Sequence, residues 1–297
     1  MELRRTIEEL RALYEMEPKI RDLYVEGFVD ENFFKWYLSR QGLETIGVYP
    51  VEIIDVPNEI LLRHSLPIGS NKSRLIALSH ELSICPFSTQ VMCIVDRDFE
   101  ETTADRHKNS CLHKTDGNSL ELYALQQSVF HKFVFIALGG LSVPPQELLY
   151  QCTATLEKIY AIRAANECLG WNMSWVPFRR YISIAGSKIT FRQEAFVRAY
   201  LQKNDRWNER DDFSSAVREI LKSLDEDPMR RVRGHDLSEL LFVVINKIRK
   251  EKQFGNPETL ESCMLATVEV ADLDQHSLFR MIKQFAEVSD AEASGEP

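Results

Sequence analysis

The chain has 297 residues and carries 36 Lys and Arg against 45 Asp and Glu, a formal net charge of −9. This balance excludes general, charge-driven binding to nucleic acid, although a local basic face or a metal site can still hold phosphates. No apolar run approaches the ~20 residues of a membrane-spanning helix, and the six cysteines form no Cys-x-x-Cys pair. We therefore expect a cytoplasmic protein with reduced thiols, no membrane partner and no zinc site.

The N-terminal part begins with a predicted helix and strand. Residues 3–16 repeat apolar side chains at helical spacing, and a short buried strand follows at about 21–26. Asp30 is expected to be the N-cap of the next helix, which Gly42 closes.

Three more predicted strands follow in the same part of the chain. A strand at about 48–56 contains Pro50 near its start, which indicates an exposed or edge position in a sheet. A helix at about 72–84 leads to a strand at 90–95, and a short strand is expected at 111–115. The order of elements predicts an α/β fold.

The remaining sequence has a different pattern. Residues 126–288 are predicted to be mostly helical, with short strands near 181–184 and 188–191. The small and acidic residues 289–297 are predicted to be a disordered tail. We therefore expect an α/β domain over 1–125 with the N-terminal helix, then a helical domain for substrate, dimer or partner contacts.

Two of the predicted strands end in acidic residues. Glu26 follows the first strand, and Asp96 and Asp98 follow the third. Ligands bind at the carboxyl edge of an open α/β sheet, where these carboxylates would repel one another unless a cation lay between them. Oxygen ligands suit Mg²⁺ or Mn²⁺. Two residues apart on an extended chain, Asp96 and Asp98 are expected to point the same way and to hold one cation together.

This arrangement resembles the TOPRIM domain, a family with Glu-Gly after its first strand and Asp-x-Asp after its third. Glu26-Gly27 and Asp96-x-Asp98 correspond to both motifs, and the resemblance covers residues 20–125. It implies a central parallel sheet flanked by helices. It also implies metal-dependent cleavage of phosphodiester bonds, with these three carboxylates as catalytic and metal-binding residues.

A fourth acidic position is identified through a related motif. The segment Thr115–Tyr123 resembles one found in the overcoming-lysogenization-defect branch of TOPRIM nucleases, with Glu-Leu-Tyr where members often have Glu-Asn-Tyr. The resemblance implies that Glu121 is a further catalytic residue. The structural alternative for Glu121 is a surface glutamate at the start of a helix. For Glu26 the alternative is a solvated carboxylate at a strand end or a partner of the following helix dipole.

Basic residues that could contact phosphates lie in both parts of the chain. Lys72, at the start of a predicted helix, could neutralise a phosphate, or it could be a solvated lysine. Arg179 and Arg180 lie among aromatic residues, a pattern that suits stacking on unpaired bases but also an ordinary basic surface. A second basic cluster spans 230–233. After it, Asp236 is explained as a helix cap.

The layout of the whole chain is similar to the stand-alone TOPRIM effectors of two-component PARIS anti-phage systems. That resemblance implies an ABC-type ATPase partner that holds the effector inactive. It also implies release as a homodimer when a phage protein is sensed, and abortive infection through tRNA cleavage. Three alternatives stay open: a metal-dependent DNA endonuclease, a haloacid-dehalogenase-type phosphatase, and a non-catalytic adaptor that docks on an ATPase.

Overall fold

The computed structural model describes residues 4–99, 107–249 and 254–294. These residues form two compact units, and the first is discontinuous in sequence. It comprises the chain up to Arg97, residues 107–116 and the chain from Leu273 on, whereas the second comprises residues 98–99 and Gly117–Asp272. In the described part of the chain, no helix combines the length and the apolar character needed to cross a membrane.

The first unit has an α/β architecture built on a parallel sheet. Its strands in chain order are β1 (Arg5–Thr6), β2 (Asp22–Val25), β3 (Gly47–Pro50), β4 (Ile54–Asp55), β5 (Val91–Val95) and β6 (Leu112–Lys114). Four of them form one sheet in the order β3-β2-β5-β6 with every pair parallel, while β1 and β4 pair separately. The predicted edge position of Pro50 is confirmed, because β3 borders the sheet.

Helices cover both faces of this sheet. They are α1 (Ile7–Met16), α2 (Phe28–Gln41), α3 (Asn58–Arg63) and α4 (Asn71–Ser83). The alternate β5 residues Val91, Cys93 and Val95 share a buried cluster with α1 and α4. On its other side the unit places α2 against β3. The predicted order of α1, β2, α2, β3, α4, β5 and β6 is confirmed. The predicted strand at 48–56 is corrected, because a 3-10 helix at Val51–Ile53 divides it into β3 and β4, which pair in different sheets, and α3 was not predicted.

The start of α2 differs from the prediction for Asp30. The N-cap is Gly27, and Asp30 lies three residues into the helix, where its Oδ2 accepts a hydrogen bond from the Gly27 backbone N–H at 3.1 Å. Asp30 therefore satisfies an exposed backbone donor from inside the helix instead of from the cap position. The predicted end of α2 is confirmed, since Gly42 adopts the left-handed conformation with φ of 71°.

The second unit is mostly helical, as predicted. Its helices are α5 (Gln127–Lys132), α6 (Pro145–Leu169), α7 (Gln193–Lys203), α8 (Arg210–Lys222), α9 (Gly234–Ile248) and α10 (Pro257–Leu265). The two predicted strands form an antiparallel hairpin of β7 (Ile182–Ala185) and β8 (Lys188–Phe191).

The chain then returns to the first unit. After α11 (Val270–Leu273), α12 (Ser277–Ser294) places Phe279 against the rings of Phe34 and Tyr37 on α2, at 6.0 and 4.7 Å between centroids. The predicted division at 125/126 is therefore corrected: the first segment ends near 116, and the last helix belongs with it because its aromatic side chain completes that core. The predicted disordered tail begins inside α12, and residues 295–297 lie outside the described residues.

Candidate functional site

Glu26 and Asp96 lie together in the first unit. They directly follow the neighbouring parallel strands β2 and β5, whose register pairs Tyr24 with Cys93. One oxygen of the Glu26 carboxylate, Oε1, accepts a hydrogen bond from the Asp96 backbone N–H at 3.0 Å. Both residues are half-buried. The sheet thus brings together two of the predicted site residues at its carboxyl edge.

The first turn of α4 contributes polar groups to this edge. Ser70 caps the helix, and the next residue, Asn71, donates from Nδ2 to the Glu26 backbone carbonyl and to Oε1 of Glu52, both at 2.9 Å. Lys72 donates from Nζ to the Asp96 backbone carbonyl. The predicted position of Lys72 at a helix start is therefore confirmed, and its ammonium group lies beside the backbone of a predicted metal ligand.

Asp98 belongs to the second unit and does not continue an extended strand. Its φ is +55°, and its backbone N–H donates to the Asn118 carbonyl at 2.9 Å. Its Oδ1 lies 3.7 Å from Nε of Arg233. The expectation that Asp96 and Asp98 point the same way on an extended chain is wrong, because β5 ends at Val95 and the backbone turns into the left-handed region at Asp98.

Glu121 also belongs to the second unit, on a short 3-10 helix formed by residues Leu120–Leu125. It is only 6% exposed, so the alternative of a surface glutamate is wrong. Its Oε1 lies 4.0 Å from Nδ1 of His235, which in turn lies 3.1 Å from Oε2 of Glu261. Glu261 also accepts a hydrogen bond from the Ser238 hydroxyl at 3.0 Å. Three chain segments therefore meet at one group of ionisable side chains.

The charges of these three side chains depend on one another. Burial, reinforced by the negative charge of Glu261, raises the pKa of Glu121 to about 7. A hydrogen bond with Glu261 raises the pKa of His235 to about 9. Around neutral pH, His235 and Glu261 thus form an ion pair beside a partly protonated Glu121.

Gly234 allows this close packing. A Cβ atom at that position would overlap with the Glu121 carboxylate and with the Ser119 hydroxyl. The Gly234 backbone N–H donates to the same hydroxyl at 3.0 Å. Glycine is therefore required by a close approach of side chains to the start of α9.

Asp236 is not a helix cap, which corrects the sequence-based interpretation. It lies in the first turn of α9, is 2% exposed, and accepts two hydrogen bonds at 2.8 Å from Nε and Nη2 of Arg163. The Arg163 guanidinium also stacks on the Trp175 ring at 3.6 Å from the centroid. Because a buried carboxylate needs a paired cation, Asp236 joins α9 to α6.

The predicted basic residues have different surroundings. Arg179 and Arg180 are exposed on a 3-10 helix that precedes β7. In the 230–233 cluster, Arg231 lies 2.9 Å from a carboxylate oxygen of Glu157. Positive charge in this cluster is therefore partly neutralised within the protein.

A basic groove lies between α7 and α8 in the second unit. Its volume is about 740 Å³. Around it lie four arginines, one tryptophan and two acidic residues, namely Arg192, Arg198, Arg210, Arg218, Trp207, Glu194 and Asp211. Arg198 and Arg210 place their guanidinium groups 5.7 and 5.4 Å from the Trp207 ring centroid. We name this feature the α7–α8 groove, and its net positive lining contrasts with the net charge of −9 for the chain.

Sequence reasoning assigned no role to His235, and it missed Glu261 and the α7–α8 groove. The Gly234-His235 pair at a helix start was the available signal for the first. The arginines of the groove, Arg192, Arg198, Arg210 and Arg218, are 6, 12 and 8 residues apart, and no single helical period displays these spacings.

Comparison with protein-family models gives no match for this chain, and comparison with curated proteins gives none either. The resemblance to TOPRIM nucleases thus depends on the residues named above and on the parallel sheet that carries Glu26 and Asp96.

Proposed function

We propose that this chain is a divalent-metal-dependent nuclease of the TOPRIM type. The observation that carries the proposal is the contact between Glu26 and Asp96 at the ends of two neighbouring parallel strands. Acidic residues at the carboxyl edge of an open sheet lie where such folds bind ligands.

The donor set fits a hard cation. Glu26 and Asp96 would hold Mg²⁺ or Mn²⁺ through carboxylate oxygens, and Asp98 stays a predicted third ligand. A bound ion of this kind polarises a phosphoryl oxygen and lowers the pKa of an attacking water. The hydrogen bond from Asp96 N–H orients the Glu26 carboxylate before any ligand binds, which lowers the entropic cost of forming the site.

The α4 start supports the same site. Asn71 fixes the backbone of Glu26, and Lys72 fixes the backbone of Asp96. The Lys72 ammonium group supplies a positive charge at the carboxyl edge of the sheet, where it can attract a phosphate. These contacts explain how a helix N-terminus can position two strand ends for phosphoryl chemistry.

The substrate part of the proposal is cleavage of RNA, and of tRNA in particular. The α7–α8 groove supports contact with nucleic acid, because arginines beside an aromatic ring suit phosphates and unstacked bases. By resemblance to PARIS effectors, we further propose an ABC-type ATPase partner, an active homodimer and a role in abortive infection after a phage protein is sensed.

The first prediction tests the chemistry. Glu26→Gln keeps an oxygen that can accept the hydrogen bond from Asp96 but removes the charge. We expect it to lower the rate of Mg²⁺-dependent cleavage of total tRNA at least ~100-fold, since electrostatic stabilisation is lost. Glu59→Gln, an exposed change on α3, is the matched control and should retain full activity. Thermal unfolding of all variants verifies that each is folded.

The outcomes of this test separate the alternatives. Full activity in the folded Glu26→Gln protein would refute the proposed site. Cleavage of duplex DNA but not RNA would replace the RNA proposal with a DNA endonuclease. Hydrolysis of a small phosphate monoester alone would favour a phosphatase, and no hydrolysis of any substrate by the parent, free of partner, would favour an adaptor.

A second prediction tests the α7–α8 groove. Reversing the charge of Arg198 and Arg210 together is expected to weaken RNA binding and to reduce the dependence of affinity on salt by about two counterions. For comparison, the charges of Arg179 and Arg180, which the sequence predicted to bind substrate, are reversed together in a second variant. Binding is measured by fluorescence anisotropy with a labelled tRNA at several salt concentrations. Unchanged affinity in the Arg198 and Arg210 variant would remove the groove from the proposal.

A further inference from the structure

The side chains of Glu121, His235 and Glu261 form a compact group within the second unit. One potential ligand atom from each, a carboxylate oxygen or a ring nitrogen, lies within 4.8 Å of the other two. The three residues come from a 3-10 helix, the start of α9 and the middle of α10. Their convergence therefore depends on the folded unit and not on a local sequence pattern.

A second observation points to a ligand at this group. Glu121 is more than nine-tenths buried, and apart from the interaction of this carboxyl group with Glu261, its Oε2 has no hydrogen-bond partner among the residues that the structure describes. A buried carboxylate oxygen with an unfilled hydrogen-bonding capacity is costly, because it has lost its contacts with water. Gly234 leaves the space that this carboxylate occupies. Two carboxylates thus lie beside one imidazole, and a divalent cation that displaced the proton of His235 to solvent would neutralise both of them.

We propose that Glu121, His235 and Glu261 bind a divalent first-row transition ion, with Zn²⁺ as the preferred occupant. One imidazole nitrogen and two carboxylate oxygens are ligands that Zn²⁺ accepts, whereas Mg²⁺ favours oxygen ligands and retained water. The absence of a Cys-x-x-Cys pair excludes only thiolate zinc sites of that type, so it does not bear on this ligand set.

The observed separations suit such an ion. Ligands at about 2.0–2.1 Å in a tetrahedral site lie roughly 3.3 Å apart. The separation of 3.1 Å between His235 and Glu261 is already close to this value. The 4.0 Å between Nδ1 of His235 and Oε1 of Glu121 requires these two atoms to approach each other by about 0.7 Å when the ion binds. The Ser238 hydroxyl, bonded to Glu261, would orient that ligand from outside the site.

The proposed ion would join three segments that are far apart in sequence. From Glu121 to Glu261 the chain closes a long loop, and a cross-link here would stabilise the folded second unit. Nothing in this inference requires nuclease activity. Its test therefore fails or succeeds independently of the Mg²⁺ site proposed on Glu26 and Asp96.

The test is titration of the full chain with Zn²⁺ and with Co²⁺ as a spectroscopic substitute, each in the presence of excess Mg²⁺. We expect one Zn²⁺ per chain, a rise in the unfolding temperature, and a Co²⁺ spectrum of nitrogen and oxygen ligands without thiolate bands. Glu261→Gln and His235→Gln should each weaken Zn²⁺ binding at least ~100-fold, the upper end of the loss seen when supporting residues are removed.

Two control variants match the test variants: one lies on the same helix as Glu261, and the other replaces the same type of residue as His235. Glu258→Gln changes an exposed carboxylate one turn before Glu261 on α10, and His131→Gln removes an exposed imidazole on α5. Both should bind Zn²⁺ as the parent does. Equal Zn²⁺ affinity in all five proteins would overturn the proposal, as would thiolate bands in the Co²⁺ spectrum. Because Glu261→Gln and His235→Gln alter partly exposed groups, circular dichroism is used to verify their folding.

Discussion

Replacing Arg163 by Met tests how much the buried ion pair stabilises the second unit. Arg163 donates two hydrogen bonds of 2.8 Å to Asp236, which is 2% exposed. Methionine keeps an apolar stem of similar reach but removes the guanidinium. The Asp236 carboxylate then loses the only cation that pairs with it in the part of the chain that the structure describes.

The expected cost follows from that burial. Removing one member of a buried ion pair destabilises a protein by about 3–5 kcal/mol, because the other charge stays buried and uncompensated. Loss of the guanidinium from the Trp175 ring removes about 0.5–2 kcal/mol more. The Arg163 side chain is 17% exposed, so water can reach part of the site and reduce the penalty. We therefore expect a net loss of about 3–4 kcal/mol in the free energy of unfolding.

Urea unfolding followed by tryptophan fluorescence measures this loss. Of the four tryptophans, Trp171, Trp175 and Trp207 belong to the second unit, so the signal reports mainly on it. With a slope of ~1–3 kcal/mol per molar urea, the midpoint of unfolding should fall by about 1–4 M. Arg218→Met, an exposed change on α8, is the control and should shift stability by less than ~0.5 kcal/mol.

A double variant completes the test. Replacing Arg163 by Met and Asp236 by Leu together removes both charges, and buried pairs replaced by apolar side chains often retain stability. The double variant should therefore be more stable than Arg163→Met alone, with a coupling energy of ~2 kcal/mol or more. A single-variant loss below ~1 kcal/mol, or strictly additive losses, would refute the reasoning.

Two further predictions concern packing and pH. Gly234→Ala is expected to lower the free energy of unfolding by about 1–3 kcal/mol through overlap with Glu121, whereas Gly255→Ala, with open space around it, should change little by the same thermal-unfolding measurement. Burial and the neighbouring His64 lower the pKa of His80, so the unfolded state binds more protons, and stability should fall as the pH drops below about 6.5. His80→Gln should make that fall shallower in unfolding curves from pH 7.5 to 5, and an identical pH dependence would contradict this role.

The sequence predicted much of the first unit because its signals are local. Short apolar runs identified β2 and β5, and a proline identified the edge strand β3. The placement of Glu26 beside Asp96 then followed from a general property of parallel sheets. Asp30 and Asp236 were wrongly predicted to be N-caps, because an acidic residue near a helix start can also accept hydrogen bonds from within the first turn.

Contacts between distant segments could not be predicted in this way. Phe279 completes the core beneath α2, yet a helical repeat in the sequence does not state which surface it covers. Glu121, His235 and Glu261 each follow an ordinary local pattern, and only the folded second unit brings them together. Asp98 could not be predicted for a local reason. The direction of its side chain was inferred from the alternation of side chains along an extended strand, and its left-handed backbone conformation ends that alternation.

The return of α12 to the first unit has a consequence for synthesis on the ribosome. Some 180 residues separate Arg97 from Ser277, so at ~5–20 residues per second the last helix follows roughly 10–40 s later. Until then, the aromatic face of α2 formed by Phe34 and Tyr37 lacks its cover and is open to chaperones or to aggregation. A fragment that stops near residue 125 would keep that face uncovered permanently. To study the acidic edge in isolation, Ser277–Ser294 should be rejoined to it through a flexible linker.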